Sequence, residues 1–234
     1  MSGTAYGIGV GPGDPELMTL KGVRLLGACP VIAFPAPDEG DSLARAIAAP
    51  HIPAGRTEIA IRVPMTTARY PAHAVYDAAA AEIANHLAGG RDVAILCEGD
   101  PFFYGSFMYL FDRLSERAPV QVVPGVSSLT ACAAALATPL AARSDVLSVI
   151  PATLDAETLE RRLDACDSAA IIKIGQHLPK VRRALEATGR AAMARYIERA
   201  TLPGERILPL DTMTDSKAPY FSMVLTHRRG SATS

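Results

Sequence analysis

Three glycine-containing segments combine residue types that can hold a small ligand. The first, Gly7–Glu16, reads GIGVGPGDPE and continues a short apolar run. Glycines at such a place let the backbone approach a ligand closely. A dinucleotide fingerprint, GxGxxG, would need glycine at position 12 or 14, where the chain has Pro12 and Asp14. Proline also lacks the N–H that a phosphate nest would use. The segment therefore indicates either a site for a ligand without phosphate or a tight strand-exit turn with no ligand.

The second segment, Glu98–Ser106, reads EGDPFFYGS and follows the apolar run Asp92–Cys97. Ligands of open α/β sheets bind at the carboxyl ends of strands, so side chains at this position are candidate ligand contacts. Asp100 is restricted by Gly99 before it and Pro101 after it. Asp100 is thus a candidate for ligand binding, and the alternative is a turn former before the next helix. We expect Asp100→Ala to weaken binding with little loss of folding.

The third segment, Val123–Thr130, reads VPGVSSLT and again carries a strand into a glycine turn. Ser127 and Ser128 stand at a predicted helix start, where a hydroxyl can cap the helix, donate to a ligand, or do both. All three segments offer backbone groups and hydroxyls with little net charge. If they converge on one cleft, they suit a zwitterionic nucleoside with a polar tail better than a triphosphate.

Apolar runs in the first part of the chain predict the strands that position these segments. The runs are β-branched or aliphatic and do not alternate strictly with polar residues, which is typical of a mainly parallel sheet covered on both faces. Stretches of helical periodicity lie between them, and Thr19 is a candidate cap for the first helix. The predicted strands are Tyr6–Val10, Val31–Phe34, Ile59–Val63, Val93–Cys97 and Val120–Val123, and the predicted helices are Leu20–Leu26, Tyr76–Leu87, Ser106–Glu116 and Leu129–Ala137.

The second half of the chain has a different order of elements. Its last three predicted strands follow one another without a long helix between them, and consecutive strands of that kind usually pair antiparallel. We therefore predict two α/β domains, residues 1–124 with a mostly parallel sheet and residues 125–234 with a mixed sheet. The predicted strands are Val146–Ile150, Ala169–Ile174, Met193–Glu198, Arg206–Leu210 and Phe221–Thr226, and the helices are Ala156–Ala165 and Leu178–Ala187.

Composition argues against several classes of protein. The 234 residues carry a formal net charge of -1, which gives no basic field for nucleic acid. No apolar run reaches the roughly 20 residues of a membrane span. The four cysteines form no CxxC pair and the five histidines lack the spacing of metal ligands, so we expect buried thiols and no metal. The first charged residue is Asp14, so the positive start of a signal peptide is missing and we expect a cytoplasmic protein.

Taken together, the three segments resemble the tetrapyrrole (corrin/porphyrin) methylase family. The match consists of GIGVGPGDPELMTLK at Gly7–Lys21, EGDPFFYGSF at Glu98–Phe107 and VPGVSS at Val123–Ser128, in the order and spacing of that family over essentially the whole chain. The longer form GDPFFYGSFMYL, the KIG at Lys173–Gly175 and the PYFSMVL at Pro219–Leu225 resemble the branch that methylates precorrin-2 at carbon 20.

The resemblance implies a fold, a cofactor and a set of site residues. It implies a class III S-adenosylmethionine methyltransferase with two α/β domains, an active site in the trough between them, and a homodimeric assembly. S-adenosylmethionine would be the methyl donor and S-adenosylhomocysteine the product. Carried over position by position, the cofactor site consists of Pro12, Glu98, Gly99, Asp100, Phe103, Ser127, Ser128, Ile174, Ala200, Ala218, Pro219, Tyr220 and Phe221.

The implied reaction is methylation of precorrin-2 to precorrin-3A in cobalamin (corrin) biosynthesis. Its main demand on the protein is alignment of the reacting atoms, and no metal is required. The residues identify no catalytic base. The substrate would carry many carboxylates, for which basic side chains are candidates, and a solvated surface role is the alternative for each of them. The candidates are Arg62, Arg69, Arg143 and Lys173, and the polar segment Met65–Ala74 is either a lid or a connector.

Other functions remain open at this point. The nearest alternatives are the enzyme for the cobalt-containing substrate, cobalt-factor II, and a methylase of the same family that acts at another ring position. An alternative of a different class is a nucleotide-dependent oxidoreductase, against which the broken glycine fingerprint argues. A binding protein that keeps the fold without catalysis is a further alternative.

Overall fold

The computed structural model describes residues 2–63, 69–213 and 216–232, and for residues 69–72 it describes the backbone only. The chain divides into two compact units, Met1–Ser127 and Ser128–Ser234. The boundary predicted from the sequence, after residue 124, stands slightly before this division. Each unit is built on one five-stranded sheet.

The sheet of the first unit is parallel throughout and has the strand order β3-β2-β4-β1-β5. This confirms the predicted mainly parallel sheet. Because the chain crosses between non-adjacent strands, helices cover both faces. The strands are β1 (Ala5–Gly9), β2 (Val31–Ala36), β3 (Thr57–Arg62), β4 (Val93–Cys97) and β5 (Val120–Val123), and the helices are α1 (Leu20–Ala28), α2 (Leu43–Ala48), α3 (Arg69–Ala88) and α4 (Phe107–Leu114).

Side chains on the two faces of this sheet form separate apolar clusters. On one face, Ile8 and Leu96 pack among residues of α1 and α2 such as Leu26. On the other face, Ile95 packs among residues of α3 and α4 such as Ile83. All residues of β4 are buried, which explains why its sequence is apolar without alternation. Apolar side chains therefore stabilise the sheet on both faces, and polar groups lie at the ends of the strands.

Two local elements of the first unit differ from the prediction. Helix α2 was not predicted; it is short, is capped by Ser42 and buries Ala44 and Ile47. Helix α3 begins at Arg69, so the second part of the predicted polar loop Met65–Ala74 is helical and that part of the prediction is wrong. The first part of that loop falls in residues 64–68, outside the described residues. The Thr19 cap is confirmed, since its Oγ1 accepts a hydrogen bond from the Gly22 N–H at 3.0 Å.

The second unit has a mixed sheet with the strand order β6-β7-β10-β8-β9, which confirms the mixed sheet predicted from the sequence. Strands β6 and β7 are parallel and the other neighbours are antiparallel. The strands are β6 (Leu147–Pro151), β7 (Ser168–Ile172), β8 (Arg195–Glu198), β9 (Arg206–Leu208) and β10 (Ser222–His227), and the helices are α5 (Ser128–Ala135), α6 (Ala156–Asp164) and α7 (Leu178–Ala187).

The last strand of the second unit does not pair with the strand that precedes it. Strand β10 lies between β7 and β8, so the expectation that the last three strands pair in sequence holds for β8 and β9 only. All six residues of β10 are buried, which suits a central strand, whereas β9 is short and mostly exposed. Helices α6 and α7 pack on one face of the sheet and α5 on the other.

Candidate functional site

The loops that leave β1 and β4 run side by side at the carboxyl edge of the first sheet. Gly99 N–H donates to the Gly11 carbonyl at 2.7 Å, and Gly11 N–H donates back to Gly99 at 3.3 Å. Val10 N–H donates to the Cys97 carbonyl at 2.9 Å, which extends the β1–β4 pairing past the strand ends. Two of the three sequence segments therefore meet here.

Asp100 connects this pair of loops to the third segment. Its Oδ2 accepts a hydrogen bond from the Gly125 N–H at 3.0 Å, and its Oδ1 accepts one from the Phe102 N–H at 2.9 Å. The carboxylate therefore ties the exit of β4 to the exit of β5 and also shapes its own turn. Asp100 therefore has a structural role. We now expect that Asp100→Ala lowers stability, contrary to the expectation from the sequence that folding would be little affected.

Close backbone contact requires glycine where the three segments meet. A Cβ placed on Gly125 would lie 2.0 Å from the Gly99 carbonyl oxygen and 2.8 Å from the Gly9 Cα. These distances are far shorter than any real Cβ contact, so a side chain cannot be accommodated without moving the backbone. We call the junction of Gly9, Gly11, Gly99 and Gly125 the glycine rim. It lies wholly within the first unit and confirms that the three segments converge.

Glu98 begins the segment after β4 and has an unusual carboxyl group. Burial raises the pKa of Glu98 above its ordinary value, and hydrogen bonds from the backbone N–H groups of Glu98 itself and of Ala44 act in the opposite direction. Ala44 belongs to α2, so Glu98 faces the start of the helix that the sequence did not predict. The carboxyl therefore holds a proton to a higher pH than an exposed glutamate does.

The remaining predicted residues of the first unit lie on the same three loops. Pro12 is buried beside Gly11, Phe103 is half-buried, and Ser127 ends the β5 segment. Phe103 packs edge-to-face on Tyr104, whose backbone has a positive φ of 56°. The structure thus brings Pro12, Glu98, Gly99, Asp100, Phe103 and Ser127 to one edge of the first sheet.

A second group of predicted residues lies at one edge of the second sheet. Ile174 follows β7, Ala200 follows β8, and Ala218–Phe221 leads into β10, which runs antiparallel to both. Backbone hydrogen bonds join these segments: Arg199 N–H donates to Phe221 O at 2.7 Å, and Ala218 N–H donates to Gly175 O at 2.9 Å. Ile174 and Ala200 are buried, whereas Tyr220 is 72% exposed. Ser128, also in this unit, is the first residue of α5.

Three residues of this second edge adopt backbone angles that usually require glycine. Lys173 has φ 56°, Arg199 has φ 53° and Thr201 has φ 66°. A left-handed conformation costs an ordinary residue about 1–2 kcal/mol, and a β-branched residue such as threonine rarely adopts it. We call Lys173–Gly175, Arg199–Thr201 and Ala218–Phe221 together the strained rim. Strain concentrated at strand ends is typical of ligand sites.

The predicted carboxylate-binding residues do not all lie at these edges. Arg62 ends β3, and its guanidinium donates to the carbonyls of Pro37 at 2.8 Å and Asp38 at 3.2 Å, so part of it anchors a neighbouring loop. Lys173 is exposed on the strained rim. Arg143 precedes β6, at the end of the second sheet opposite Lys173, so these two do not form one site. Arg69 opens α3, and only its backbone is described.

Sequence reasoning missed two features of these sites. Glu205 lies in the turn after β8, and its Oε2 accepts a hydrogen bond from the Thr201 N–H at 2.7 Å. A glutamate four residues after a threonine in a polar turn gives no recognisable signal. A cavity of about 600 Å³ in the second unit was also not predicted; it contains none of the predicted residues and is lined by Arg182, Glu186, Arg195, Tyr196, Ile207 and Asp211, among others.

Two classes of function gain no support from the described part of the chain. Within residues 2–63, 69–213 and 216–232, no helix has the length and apolarity that a membrane crossing requires. Over the same residues, no group of three or more acidic, histidine or cysteine side chains is arranged to hold a metal ion. All four cysteines are buried and unpaired, and burial raises the pKa of Cys97 to about 11.

Comparison with known proteins gives a consistent result. The family model for tetrapyrrole (corrin/porphyrin) methylases matches residues 4–214. The chain is 42% identical over 231 residues to a precorrin-2 C(20)-methyltransferase from a Sinorhizobium species, covering 95% of this chain and 94% of that protein. It is 30% identical to the cobalt-precorrin-2 C(20)-methyltransferase of Salmonella typhimurium, with 98% of each covered.

Another relative is a longer protein. The cobalamin biosynthesis protein CobIJ of Mycobacterium tuberculosis is 43% identical over 231 residues, which cover 95% of this chain but only 46% of that protein. The chain therefore spans about half the length of this relative, whereas it spans nearly all of the Sinorhizobium protein.

Solved structures show the same fold at low sequence identity. A cobalt precorrin-4 methyltransferase superposes with a TM-score of 0.73 at 23% identity, covering 96% of this chain and 94% of that one. A uroporphyrin-III C-methyltransferase from Thermus thermophilus, solved in complex with S-adenosylhomocysteine, gives a TM-score of 0.71 at 23% identity, covering 96% and 92%.

Two α/β units, one with an all-parallel sheet and one with a mixed sheet, give this chain the class III methyltransferase fold of its solved neighbours. The family match over most of the chain makes the assignment specific. The chain belongs to the tetrapyrrole (corrin/porphyrin) methylase family.

Proposed function

We propose that the protein is an S-adenosylmethionine-dependent C-methyltransferase that converts precorrin-2 to precorrin-3A by methylating carbon 20. The observation that carries the proposal is the glycine rim, where all three family segments meet with Asp100 linking them. The precorrin-2 C(20)-methyltransferase activity of the Sinorhizobium relative supports the ring position. The proposal concerns this chain alone, since longer relatives contain a second part.

The residues of the two rims fit S-adenosylmethionine as the methyl donor. When bound, this cofactor supplies a methyl group on a sulfonium that a carbon nucleophile can displace. Its phosphate-free, zwitterionic chemistry matches the glycine rim, because Pro12 withholds one backbone N–H from a phosphate nest. The carboxyl groups of Glu98 and Asp100 are proposed partners for the positively charged sulfonium and amino groups of the cofactor.

Each rim is assigned part of the cofactor. We infer that the first unit holds the methionine and ribose end through Glu98, Gly99, Asp100 and Phe103, with Ser127 and Ser128 at the methionine and Pro12 beside the substrate. The strained rim would enclose the adenine, and it offers buried aliphatic side chains and backbone groups for this purpose; the residues are Ile174, Ala200, Ala218, Pro219, Tyr220 and Phe221.

The chain's contribution to the reaction is mainly positioning. Backbone hydrogen bonds hold the rims in shape before a ligand arrives, and such preorganisation is what alignment of carbon, methyl and sulfur demands. No side chain is assigned as the base that removes the proton from carbon 20. Lys173, Arg62 and Arg69 are proposed to bind substrate carboxylates. A homodimeric, cytoplasmic enzyme is proposed on the resemblance.

The experiment is a product analysis with two substrates. The protein is incubated with S-adenosylmethionine and either precorrin-2 or cobalt-precorrin-2, and the product is examined by mass spectrometry and NMR. We expect one added methyl group, at carbon 20, with the metal-free substrate. Methylation at a different carbon would contradict the proposal, and a clear preference for the cobalt substrate would favour the cobalt-precorrin-2 activity of the Salmonella relative.

A binding measurement separates the methylase from the oxidoreductase alternative. Calorimetry with S-adenosylhomocysteine and with NAD should show binding of the first ligand only. Binding of NAD alone would reverse the assignment, because a pyrophosphate needs the backbone N–H groups that Pro12 interrupts.

A further inference from the structure

The turn between β8 and β9 holds an unfavourable backbone without any glycine at the strained positions. Arg199 and Thr201 have φ values of 53° and 66°, and they flank the buried Ala200. Two left-handed residues on either side of one alanine fix the direction of the Ala200 carbonyl and of the N–H groups around it. Some interaction must hold the turn in this shape.

Hydrogen bonds within and beside the turn supply that interaction. Arg199 N–H donates to the Phe221 carbonyl at 2.7 Å, and Leu202 N–H donates to the Arg199 carbonyl at 2.9 Å. At the second strained residue the acceptor is a side chain: the Glu205 carboxylate receives the Thr201 N–H at 2.7 Å. Hydrogen bonds to a charged acceptor are among the strongest of their kind, so Glu205 is a strong local restraint on the backbone of Thr201.

Glu205 is not part of the apolar clusters of the second unit. It is exposed, and the hydrogen bond in question spans only four residues of the same turn. An exposed carboxylate that stabilises a strained turn is better explained by preorganisation of a ligand contact than by folding. Ala200 is the residue that this turn presents.

We propose that Glu205 is a positioning residue for the nucleoside of the cofactor: its hydrogen bond to Thr201 holds the backbone around Ala200 in the conformation that binds the ligand. This inference rests on the proposed function, in which Ala200 contacts S-adenosylmethionine. Glu205 touches neither cofactor nor substrate in this scheme, and it acts through the backbone of Arg199–Thr201.

The test is calorimetric binding of S-adenosylhomocysteine to full-length variants. We expect Glu205→Ala to weaken binding by about tenfold, since the restraint on Thr201 is lost. Glu205→Gln keeps an acceptor oxygen, so its loss should be only about threefold. The control is Glu186→Ala, which removes an equivalent exposed charge from α7, outside the rim, and should bind like the wild type.

A double-mutant cycle shows whether the restraint acts on the backbone. Glycine adopts a positive φ freely, so in a Thr201→Gly background the change Glu205→Ala should weaken binding by only about twofold. Thermal unfolding of Glu205→Ala and Glu205→Gln should be nearly unchanged because Glu205 is exposed. A structural role without positioning would move the unfolding temperature instead of the affinity.

The outcomes separate this inference from the function on which it rests. If the wild type binds no S-adenosylhomocysteine, the proposed function fails. If the wild type binds and Glu205→Ala binds equally well, only the positioning role is wrong. Equal losses for Glu205→Ala in the wild-type and Thr201→Gly backgrounds would also overturn it, because relief of backbone strain would then be irrelevant.

Discussion

Glycines lie at or shortly after the ends of β1, β4 and β5, whereas the loops that follow β7 and β8 contain Lys173, Arg199 and Thr201, which adopt backbone angles usual for glycine. In the glycine rim the backbone segments lie in contact because side chains are absent, and a Cβ on Gly125 would lie 2.0 Å from the Gly99 carbonyl oxygen. In the strained rim side chains are present, and hydrogen bonds hold the backbone against its own preference.

The difference shows that this chain fixes its backbone in two ways at the two rims. Steric exclusion needs no partner and fails only when atoms are added. Restraint by hydrogen bonds fails when a partner is removed, and it allows residues with long charged side chains, such as Lys173 and Arg199, to stand at the rim. The two rims should therefore respond to opposite kinds of substitution.

The largest effect is expected from adding one methyl group to the glycine rim. Gly125→Ala places a Cβ against the Gly99 and Gly9 backbones, so it should lower the free energy of unfolding by about 3 kcal/mol or more, measured by urea denaturation. The matched control is Gly27→Ala in α1, where a Cβ meets nothing within 4 Å; helix propensity should make it stabilising by up to about 1 kcal/mol. Equal stability of the two variants would show that the rim is not sterically closed.

A smaller loss is expected from removing the link between the loops. Asp100→Ala leaves the N–H groups of Gly125 and Phe102 without their acceptors, which should cost about 1–3 kcal/mol of unfolding free energy and weaken S-adenosylhomocysteine binding. Asp112→Ala, an exposed change on α4, should stay within about 0.5 kcal/mol. Unchanged stability of Asp100→Ala would mean that the glycines alone hold the rim.

The smallest effect, and one of opposite sign, is expected in the strained rim. Arg199→Gly relieves a left-handed backbone at the expense of greater freedom in the unfolded chain, so stability should stay level or rise by up to about 1 kcal/mol. Arg195→Gly makes the same change within β8 and should lower stability by roughly 1 kcal/mol in the same denaturation assay. A clear loss at position 199 would show that its side chain, not hydrogen bonding of the backbone, holds the turn.

Much of the first unit could be predicted because burial on both faces leaves a plain signal. The runs that form β4 and β5 were identified at their observed bounds. Because ligands of open α/β sheets bind at the carboxyl ends of strands, the three segments could be predicted to lie close together. Helix α2 was missed because its six residues follow a polar, acidic loop and are too few to show a period.

Other features depend on contacts that no local pattern records. The central place of β10 depends on competition among strands for neighbours, and adjacency in sequence wrongly suggested β9 as its partner. The strained backbones of Lys173, Arg199 and Thr201 run against residue preference and are visible only in three dimensions. The sequence also does not distinguish a ligand contact from a structural link at Asp100, because an aspartate at this position suits both roles.

The place of β10 has a consequence for how the second unit is made. A ribosome synthesises β6, β7, β8 and β9 before β10, yet β10 separates β7 from β8 and pairs with both. Until Ser222–His227 has been synthesised, the nascent chain contains two separate strand pairs, β6–β7 and β8–β9. One edge of each pair then lacks the strand with which it will pair. Folding of this unit must therefore await synthesis of β10, and a stop codon placed before Ser222 should release a polypeptide whose second sheet cannot close.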